Sequence, residues 1–430
     1  MRKLALIFLA ATIPLFFTAC FDANEIGDFA YVSLLGIEQG VEDTFRFTFQ
    51  IPKSTGGAGS SGGSGGGGDT EGGGQGEEKE KGTITIEAPS FFSAIPILNS
   101  NISKELNFMH LEAIVISEGM ASSGKIGELI TPYARFREIR RTTKIIICKG
   151  TAEKFIKQVA PYSGELVTQT IEELIKNSKK SSFFPVSNLN DAYDGTKSTY
   201  HAFFGTYAAI NEGEKLPEEG SVYEGGYRIP GDYYAGDVPR SNGQKFEFFG
   251  TAVFDGDKMV GKLTGFETQM MMLVRGDVKR MSFTIADPQK PELVLPISIK
   301  EVDKLKVQVD IDGDKPKIKL ELGMEGDIAI IQSRINYEKP EMKKIVEAAF
   351  EKYIEDGINR TFQKCREMKC DVFNFGHSAV KKFLTIPEWE EYNWIDKFPN
   401  SEFEVKANFT VRRTGKMLKS MPVLSTEGKE

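Results

Sequence analysis

A glycine-rich tract at residues 56–76 constrains the fold of this chain more than any other feature. The tract contains glycine, serine and a few polar residues, and a charged run at 77–81 extends it. It cannot bury enough apolar surface to offset the entropy of ordering its backbone, so we predict a disordered loop at 53–82. Strand-like segments at 44–52 and 83–87 flank the tract, which indicates a loop inserted between two strands of one domain.

The first twenty residues have the pattern of an export signal. Arg2 and Lys3 form a positively charged region, and an apolar run at 4–17 follows. This run is shorter than the ~20 apolar residues that a helix needs to cross a bilayer core. The small residue Ala19 directly precedes Cys20, which is typical of a bacterial lipobox.

We therefore predict a signal peptide at 1–19 and a lipid-modified Cys20 as the first residue of the mature chain. Only a cysteine thiol can take the diacylglycerol group, and two or three acyl chains such as palmitate give stable membrane attachment. An ordinary signal peptide followed by a chance cysteine is the alternative. Of the other cysteines, Cys148 lies in a buried-strand pattern, whereas Cys365 and Cys370 could form a disulfide in an oxidising compartment.

The composition argues against several classes of function. Apolar residues make up 40% and charged residues 27% of the 430 positions, which is ordinary for a globular protein. Lys and Arg number 54 against 61 Asp and Glu, and without Arg2 and Lys3 of the leader they number 52. Nucleic-acid binding needs clustered basic residues, so we predict none for this acidic chain. With 3 histidines and no C-x-x-C pair, we also predict no metal and no cofactor.

Alternating strand and helix patterns predict an N-terminal α/β-type domain at 20–195. The predicted strands of this domain are 30–38, 44–52, 83–87, 110–117 and 142–149. Its predicted helices are 90–103, 125–134, 151–159 and 164–180. A strand at 200–210 and a linker rich in Gly, Pro, Glu and Tyr occupy the following region, 196–244.

The patterns after the linker predict a second, C-terminal domain at 245–420. Asp255-Gly256 predicts a hairpin, and Thr264 with Glu267 predicts a capping box that begins a helix. The predicted strands are 248–254, 258–263, 279–286, 293–300, 304–312, 315–322 and 402–412, and the further helices are 340–365 and 378–384. Antiparallel hairpins and one long helix thus follow an α/β-type domain, so we predict a multi-domain α+β fold with mixed sheets packed against helices.

The motifs typical of catalysis are incomplete. Residues 57–62 match G-x-G-x-x-G only through composition, since more glycine follows where a helix is needed. Residues 119–125 match G-x-x-x-x-G-K, but Ile126 stands where a P-loop needs Ser or Thr for Mg²⁺. The histidines have no partner at a motif spacing: His110, His201 and His377. We predict no catalytic residue and no enzymatic activity.

Two further clusters have ordinary structural interpretations. The basic run at 135–141 is a solvated face by default, with a contact to anionic lipid headgroups or to a partner as the alternative. Trp389, Trp394 and Phe398 form an aromatic cluster that is more often a local core than a ligand-binding surface. Buried tryptophan also anchors interfaces, so this cluster does not by itself define a function.

Several different short motifs follow one another along the mature chain. The N-terminal motifs are C-F-D at 20–22, E-I-G-D-F-A at 25–30, L-G-I-E at 35–38 and the segment 106–118. The C-terminal motifs are 249–254, 258–263, 267–268, C-D-V-F-N-F-G at 370–376, Trp389, Trp394 and 409–415. Together they resemble the Ger(x)C family of spore germination lipoproteins, the C subunits of nutrient germinant receptors. The chain departs from the family pattern at Phe21, at Asn374 and in the glycine-rich insertion.

The resemblance implies a multi-domain arrangement of mixed sheets and helices without enzymatic activity. It implies attachment to the outer face of the spore inner membrane through lipid on Cys20. It also implies work beside a polytopic A subunit and a transporter-like B subunit, in the response to amino acids, sugars or nucleosides that triggers germination. The family supplies no settled nutrient-binding residue, so Cys20 is the only site residue carried over, and small-molecule binding is left open.

Two other classes of function compete with this interpretation. A substrate-binding lipoprotein of a transporter needs two α/β lobes around a cleft, whereas the second half here has hairpins and one long helix. An exported hydrolase needs convergent carboxylates or a Ser/His pair, and the sequence displays neither.

Overall fold

The computed structural model describes residues 26–52, 82–159, 167–213, 229–278, 280–311 and 315–415. The predicted signal peptide at 1–19, the predicted lipidation site Cys20 and nearly all of the predicted loop at 53–82 lie outside the described residues, as does part of the predicted linker.

The strands and helices follow the predicted α+β pattern. The strands are β1 (Phe29–Tyr31), β2 (Leu34–Gln39), β3 (Phe45–Gln50), β4 (Thr83–Ala88), β5 (Glu105–Asn107), β6 (Ala113–Ser117), β7 (Lys144–Cys148), β8 (Phe204–Ile210), β9 (Phe246–Asp255), β10 (Lys258–Leu263), β11 (Met281–Ala286), β12 (Val294–Asp310), β13 (Lys317–Ile328) and β14 (Glu402–Arg413). The α-helices are α1 (Phe91–Asn99), α2 (Glu118–Ser122), α3 (Ile126–Arg135), α4 (Ala152–Gln158), α5 (Val167–Ser181), α6 (Leu189–Gly195), α7 (Gly265–Arg275), α8 (Pro340–Glu367), α9 (Gly376–Val380), α10 (Ile386–Tyr392) and α11 (Trp394–Lys397).

The larger sheet has eight strands in the order β10-β9-β8-β7-β6-β2-β3-β4. Its four central strands are parallel, and an antiparallel hairpin closes each edge. Because both faces are covered, successive residues of β6 are buried on opposite sides: Ile114 and Ile116 pack under α1, α2 and α3, whereas Val115 packs against α4. At one edge, β3 pairs with β4, so the two strands that flank the glycine-rich tract are neighbours in one sheet.

The larger sheet contains strands from both sides of position 245, where the sequence predicted the start of a second domain. The hairpin of β9 and β10 forms as predicted, with Gly256 at a positive φ of 57° in its turn. β9 then pairs antiparallel with β8, from Phe204 opposite Val253 to Ile210 opposite Phe246. The reason is that β9 carries apolar residues on both faces and therefore completes the core of the larger sheet.

The smaller sheet has the order β11-β12-β13-β14. The sequence predicted two strands at 293–300 and 304–312, which is wrong: they form the single 17-residue strand β12. Two register shifts, one after Ile299 and one after Val302, let β12 continue in its pairing with β13 through the segment between the two predicted strands. The last strand, β14, pairs parallel with β13, and the long predicted helix, α8, connects the two.

A row of glutamates on α8 covers the free edge of β14. Glu347, Glu351 and Glu355 accept the backbone N–H groups of Val411, Phe409 and Ala407, each at 2.8 Å. Four residues of helix rise about 6 Å and two residues of strand advance about 6.6 Å, so the two spacings match along the contact. The edge strand therefore has fewer unpaired donors through which a second chain could add to the sheet.

Candidate functional site

Asp371 lies buried where the end of the long helix meets the larger sheet. One carboxylate oxygen accepts the N–H of Phe375 at 3.1 Å, and the other accepts the N–H of Gly376 at 2.6 Å. The second oxygen also accepts the indole N–H of Trp394 at 3.2 Å. One carboxylate thus fixes both the turn that follows it and a tryptophan 23 residues further along the chain.

The same turn is pressed against the segment before β8. The N–H of Ala202 donates to the carbonyl oxygen of Asp371 at 3.3 Å. A Cβ atom on Gly376 would lie 2.1 Å from the carbonyl oxygen of Tyr200, so only glycine fits this close backbone approach. The indole N–H of Trp389 donates to Thr199 Oγ1 at 2.9 Å. We call this group, formed by Asp371, Gly376, Trp389, Trp394 and residues 198–202, the tryptophan joint.

Burial raises the pKa of the Asp371 carboxyl to about 6, while the N–H donors of Gly376 and Phe375 and the Trp394 indole act in the opposite direction. The charged form is favoured by these hydrogen bonds and, to a smaller extent, by the positive charge of Arg275. This geometry suits a structural carboxylate that locks a turn. It does not suit a general base, since its lone pairs are occupied by donors of the fold.

The raised pKa of Asp371 predicts a pH dependence of stability. Because the carboxyl holds its proton up to about pH 6 when folded and loses it near 3.8 when unfolded, the free energy of unfolding should fall as pH rises between these values and level off above them. The expected change is about 3 kcal/mol, measured by urea unfolding at several pH values. Asp371→Asn should remove this slope; identical slopes in both proteins would contradict the assignment.

A second polar group, centred on the buried Glu267, joins α7 and α8 to the loop before β9. Glu267 accepts the N–H of Thr264 at 2.8 Å, which completes the predicted capping box, and also pairs with Lys364 at 2.6 Å. Arg360 bridges Glu267 and Asp232. Burial would lower the pKa of Lys364, but its hydrogen bonds to Glu267 and Tyr234 outweigh this effect and raise it. We call Asp232, Glu267, Arg360 and Lys364 the glutamate joint.

A third polar group connects the hairpin of β9 and β10 to α2. The Lys262 ammonium donates to Glu118 Oε1 at 3.1 Å and to the Tyr207 hydroxyl at 3.0 Å, while that hydroxyl donates to Glu118 Oε2 at 2.7 Å. Burial and the bond to Glu118 raise the pKa of Tyr207 far above its ordinary value. The three side chains thus form one connected polar group between β8, β10 and α2.

An open groove of about 450 Å³ borders the tryptophan joint. Its charged lining includes Arg275, which donates to Asp277 at 2.9 Å and to the Val372 carbonyl at 3.0 Å. Asp191 and Asp194 also line it, but they accept from Asn188 and Asn190 in and beside α6. Because these charged groups are engaged within the fold, the groove does not define a ligand class.

One pair that the sequence analysis missed is Ser198 with His201. The sequence displayed no Ser/His pair, yet Ser198 Oγ lies 2.8 Å from Nδ1 of His201, because a tight turn brings them together. Ser198 Oγ also accepts the N–H groups of Tyr200 and His201, both at 3.2 Å, and so caps the turn. Among the described residues no carboxylate bonds to this imidazole, so the orienting group of a hydrolase triad is missing.

The other described residues that the sequence analysis considered for catalysis or for ligand binding do not form a common site with Ser198 and His201. His110 packs against Tyr31 and His377 lies beside Tyr200, far from each other along the chain. The P-loop-like segment 119–125 begins inside helix α2, so its backbone cannot wrap a phosphate. Within the described residues there is no group of three or more ligating side chains that could hold a metal ion. The described chain also contains no helix of the length and apolarity that crossing a bilayer requires.

The three cysteines that the structure describes are buried free thiols: Cys148, Cys365 and Cys370. The disulfide that the sequence left open between Cys365 and Cys370 is not formed, and the Cys370 thiol instead donates to the Phe254 carbonyl at 3.4 Å. Burial raises the pKa of Cys370 to about 12, so it is unreactive at neutral pH. The predicted lipidation site, Cys20, lies outside the described residues.

Two family models and several known proteins match this chain. Residues 22–208 match the family described as Spore germination protein N-terminal domain, and residues 249–415 match Spore germination B3/ GerAC like, C-terminal. Spore germination protein KC of Bacillus subtilis (strain 168) is 24% identical, covering 98% of this chain and 97% of that protein. Spore germination protein YndF of the same organism is 21% identical, covering 96% and 97%. The crystal structure of the GerBC protein covers 88% of this chain and 96% of its own, with a TM-score of 0.51 at 16% identity.

The fold and its joints define a multi-domain α+β protein in which a large mixed sheet and a smaller sheet are held together by buried polar groups. GerBC shares this fold. The family matches cover both parts of the chain in order, from the N-terminal domain to the C-terminal region. The chain therefore belongs to the Ger(x)C family of spore germination proteins, the C subunits of germinant receptors, as the sequence motifs indicated.

Proposed function

We propose that the protein is a lipid-anchored subunit of a nutrient germinant receptor, that it is required for germination, and that it performs no catalysis. The observation that carries this proposal is the pair of family matches at 22–208 and 249–415, in the order of the family. A cleaved signal peptide and acyl chains on Cys20 would hold the protein at the outer face of the spore inner membrane.

The fold suits assembly rather than chemistry. Its buried or half-buried charged groups bind one another: Glu267 pairs with Lys364, and Lys262 pairs with Glu118. Such a body would present fixed surfaces to a polytopic A subunit and a transporter-like B subunit. The alternative of a substrate-binding lipoprotein gains no support, since the second sheet is largely antiparallel and forms no second α/β lobe.

Replacing the lipidation site should abolish lipid attachment. In Cys20→Ala we expect incorporation of labelled palmitate to fall to background, because no other residue near the leader offers a thiol. Palmitate incorporation and retention in salt-washed spore membranes are the measurements. Asn24→Ala, outside the lipobox, is the matched control and should label normally; equal labelling of both variants would contradict the lipobox interpretation.

Gene deletion tests the receptor role. In a strain that lacks other proteins of this family, loss of this one should remove the germination response to at least one nutrient. Complementation with the wild-type gene should restore the response. Unchanged responses to all amino acids, sugars and nucleosides would overturn the proposal.

A further inference from the structure

The loops that lead into the parallel strands lie at one end of the larger sheet. β2, β6 and β7 are in register at Leu34, Ala113 and Lys144, which are the first residues of these strands. The loops at 108–112 and 136–143 run into β6 and β7 and therefore lie together at this end. We call these two loops, together with the adjoining Phe92 and Arg135, the entry end of the sheet.

Direct contacts hold the entry end together. The N–H of Phe108 donates to Glu138 Oε2 at 3.0 Å, which ties one loop to the other. The Phe136 ring lies 5.2 Å from the Phe92 ring of α1, centroid to centroid. The first strand also reaches this place, since the Tyr31 ring is 4.8 Å from the His110 ring. The entry end is therefore the part of the larger sheet beside the point where the chain enters the fold.

The entry end exposes apolar and basic side chains side by side. Met109 is 52% exposed and Phe92 is 44% exposed. The basic run of the sequence lies here, and all its arginines are exposed: Arg135, Arg137, Arg140 and Arg141. Among the described residues, the first three of these arginines form no salt bridge, whereas Arg141 donates to Asn190 Oδ1 at 3.2 Å.

The acidic groups near these arginines are half-buried or accept backbone N–H groups, although Asp191 is exposed. Glu138 accepts the N–H of Phe108, and Asp191 accepts the N–H of Asn188 in the capping box of α6. Glu112 is half-buried in the first loop. The outward charge of the run at 135–141 is therefore positive on a protein whose formal net charge is -7. Such a local excess of exposed arginine complements an anionic surface.

The short segment between Cys20 and β1 also favours the entry end as the surface nearest to the bilayer. Phe29, the first residue of β1, is nine residues after Cys20. Nine residues span at most about 30 Å when fully extended. A lipid on Cys20 would therefore keep the entry end within a short distance of the bilayer, and the effective concentration of headgroups around it would be high.

We propose that the entry end rests on an anionic lipid surface, with its arginines at the phosphate headgroups and with Met109 and Phe92 reaching the interface. The proposal rests on the lipid attachment of Cys20 proposed above. Exposed arginine and apolar side chains are what interfacial contacts with anionic bilayers use. Each arginine at such a surface favours the bound orientation by roughly 5-fold.

A dye placed on the entry end tests the proposal in the lipidated full chain. An environment-sensitive fluorophore is attached to the cysteine of Met109→Cys. The matched control carries the same fluorophore at Val41→Cys, because Val41 is 81% exposed and lies beyond the opposite end of β2. The three described native cysteines are buried and do not compete for the label. Both proteins are reconstituted on vesicles of phosphatidylcholine alone or mixed with phosphatidylglycerol, each containing a lipid-borne quencher.

We expect several-fold stronger quenching at position 109 than at position 41 in the mixed vesicles, with a smaller difference on phosphatidylcholine alone. Replacing Arg135, Arg137 and Arg140 by Gln should remove most of that difference. Equal quenching at 109 and 41 in a vesicle-bound, lipidated protein would overturn this inference and leave the proposed function intact. Protection of position 109 in the native receptor without quenching by lipid would also overturn it, in favour of a protein partner. A bare Cys20 in the purified protein would defeat the proposed function as well.

Discussion

Asp371→Ala should lower the free energy of unfolding by about 2–4 kcal/mol at neutral pH. The change leaves three buried donors without an acceptor, each costing about 1–3 kcal/mol: the N–H groups of Phe375 and Gly376 and the indole of Trp394. Removal of a buried carboxylate, whose pKa burial raises to about 6, offsets part of this loss. The net effect stays destabilising because the three donors remain buried with no acceptor in the folded protein.

Tryptophan fluorescence measures the effect of Asp371→Ala on the tryptophan joint directly. The chain contains 2 tryptophans, Trp389 and Trp394, and both belong to the tryptophan joint. Urea unfolding followed by tryptophan emission therefore measures the transition of the joint itself. Asp356→Ala, at an exposed position on α8, is the matched control and should shift the free energy by no more than about 0.5 kcal/mol. Equal transitions in the two variants would show that Asp371 does not hold the joint.

Glu267→Gln should lower the free energy of unfolding by about 2–3 kcal/mol. Glu267 is almost fully buried, so its neutral replacement leaves the Lys364 ammonium without its carboxylate and weakens the cap on α7. Lys364 keeps some contact with water, which places the expected loss below that of a fully buried pair. Thermal or urea unfolding of the two proteins measures the difference.

A double-mutant cycle separates the ion pair from the cap. Lys364→Met in the Glu267→Gln background should recover about 1–2 kcal/mol, because the partly buried ammonium is then removed together with its partner. The exposed pair of Glu172 and Lys176 on α5, at 3.9 Å, provides the control, and Glu172→Gln should change stability by less than about 0.5 kcal/mol. Additive effects of the two buried substitutions would contradict a direct coupling.

Local features of the fold follow from the sequence because neighbouring residues determine them. The capping box of Thr264 and Glu267, the turn at Gly256 and the start of α8 at Pro340 all form as predicted. Each depends on the geometry of a few consecutive residues: a side-chain acceptor for free N–H groups, a positive φ, or a fixed φ at the first helical position.

Features that depend on residues far apart in the chain could not be predicted in the same way. Nothing in the composition of β9 indicates that it pairs with β8 across the linker. The glutamates of α8 are spaced as on any solvated helix face, and only the position of β14 makes them acceptors for its backbone. Glu267 was predicted as a helix cap, but its second role, as the partner of Lys364 97 residues later, requires the packing of α7 on α8.

The residues of the tryptophan joint were recognised by their resemblance to a family rather than by their chemistry. The motif at 370–376 and the two tryptophans gave no sign in the sequence that one carboxylate bonds to the second of them. A hydrogen-bonding side chain fixes local structure only where it is buried, because water then cannot compete for it. Burial depends on the whole fold and cannot be read from a short motif.

The mass of the N-terminal peptide of the native protein, isolated from spore membranes, tests the central claim most directly. The proposed role as a membrane-held receptor subunit requires that residues 1–19 are removed and that Cys20 carries a diacylglyceryl thioether. A peptide that begins at Cys20 with the mass of that lipid is the expected result. A free thiol at Cys20, or a leader still attached, would contradict the account.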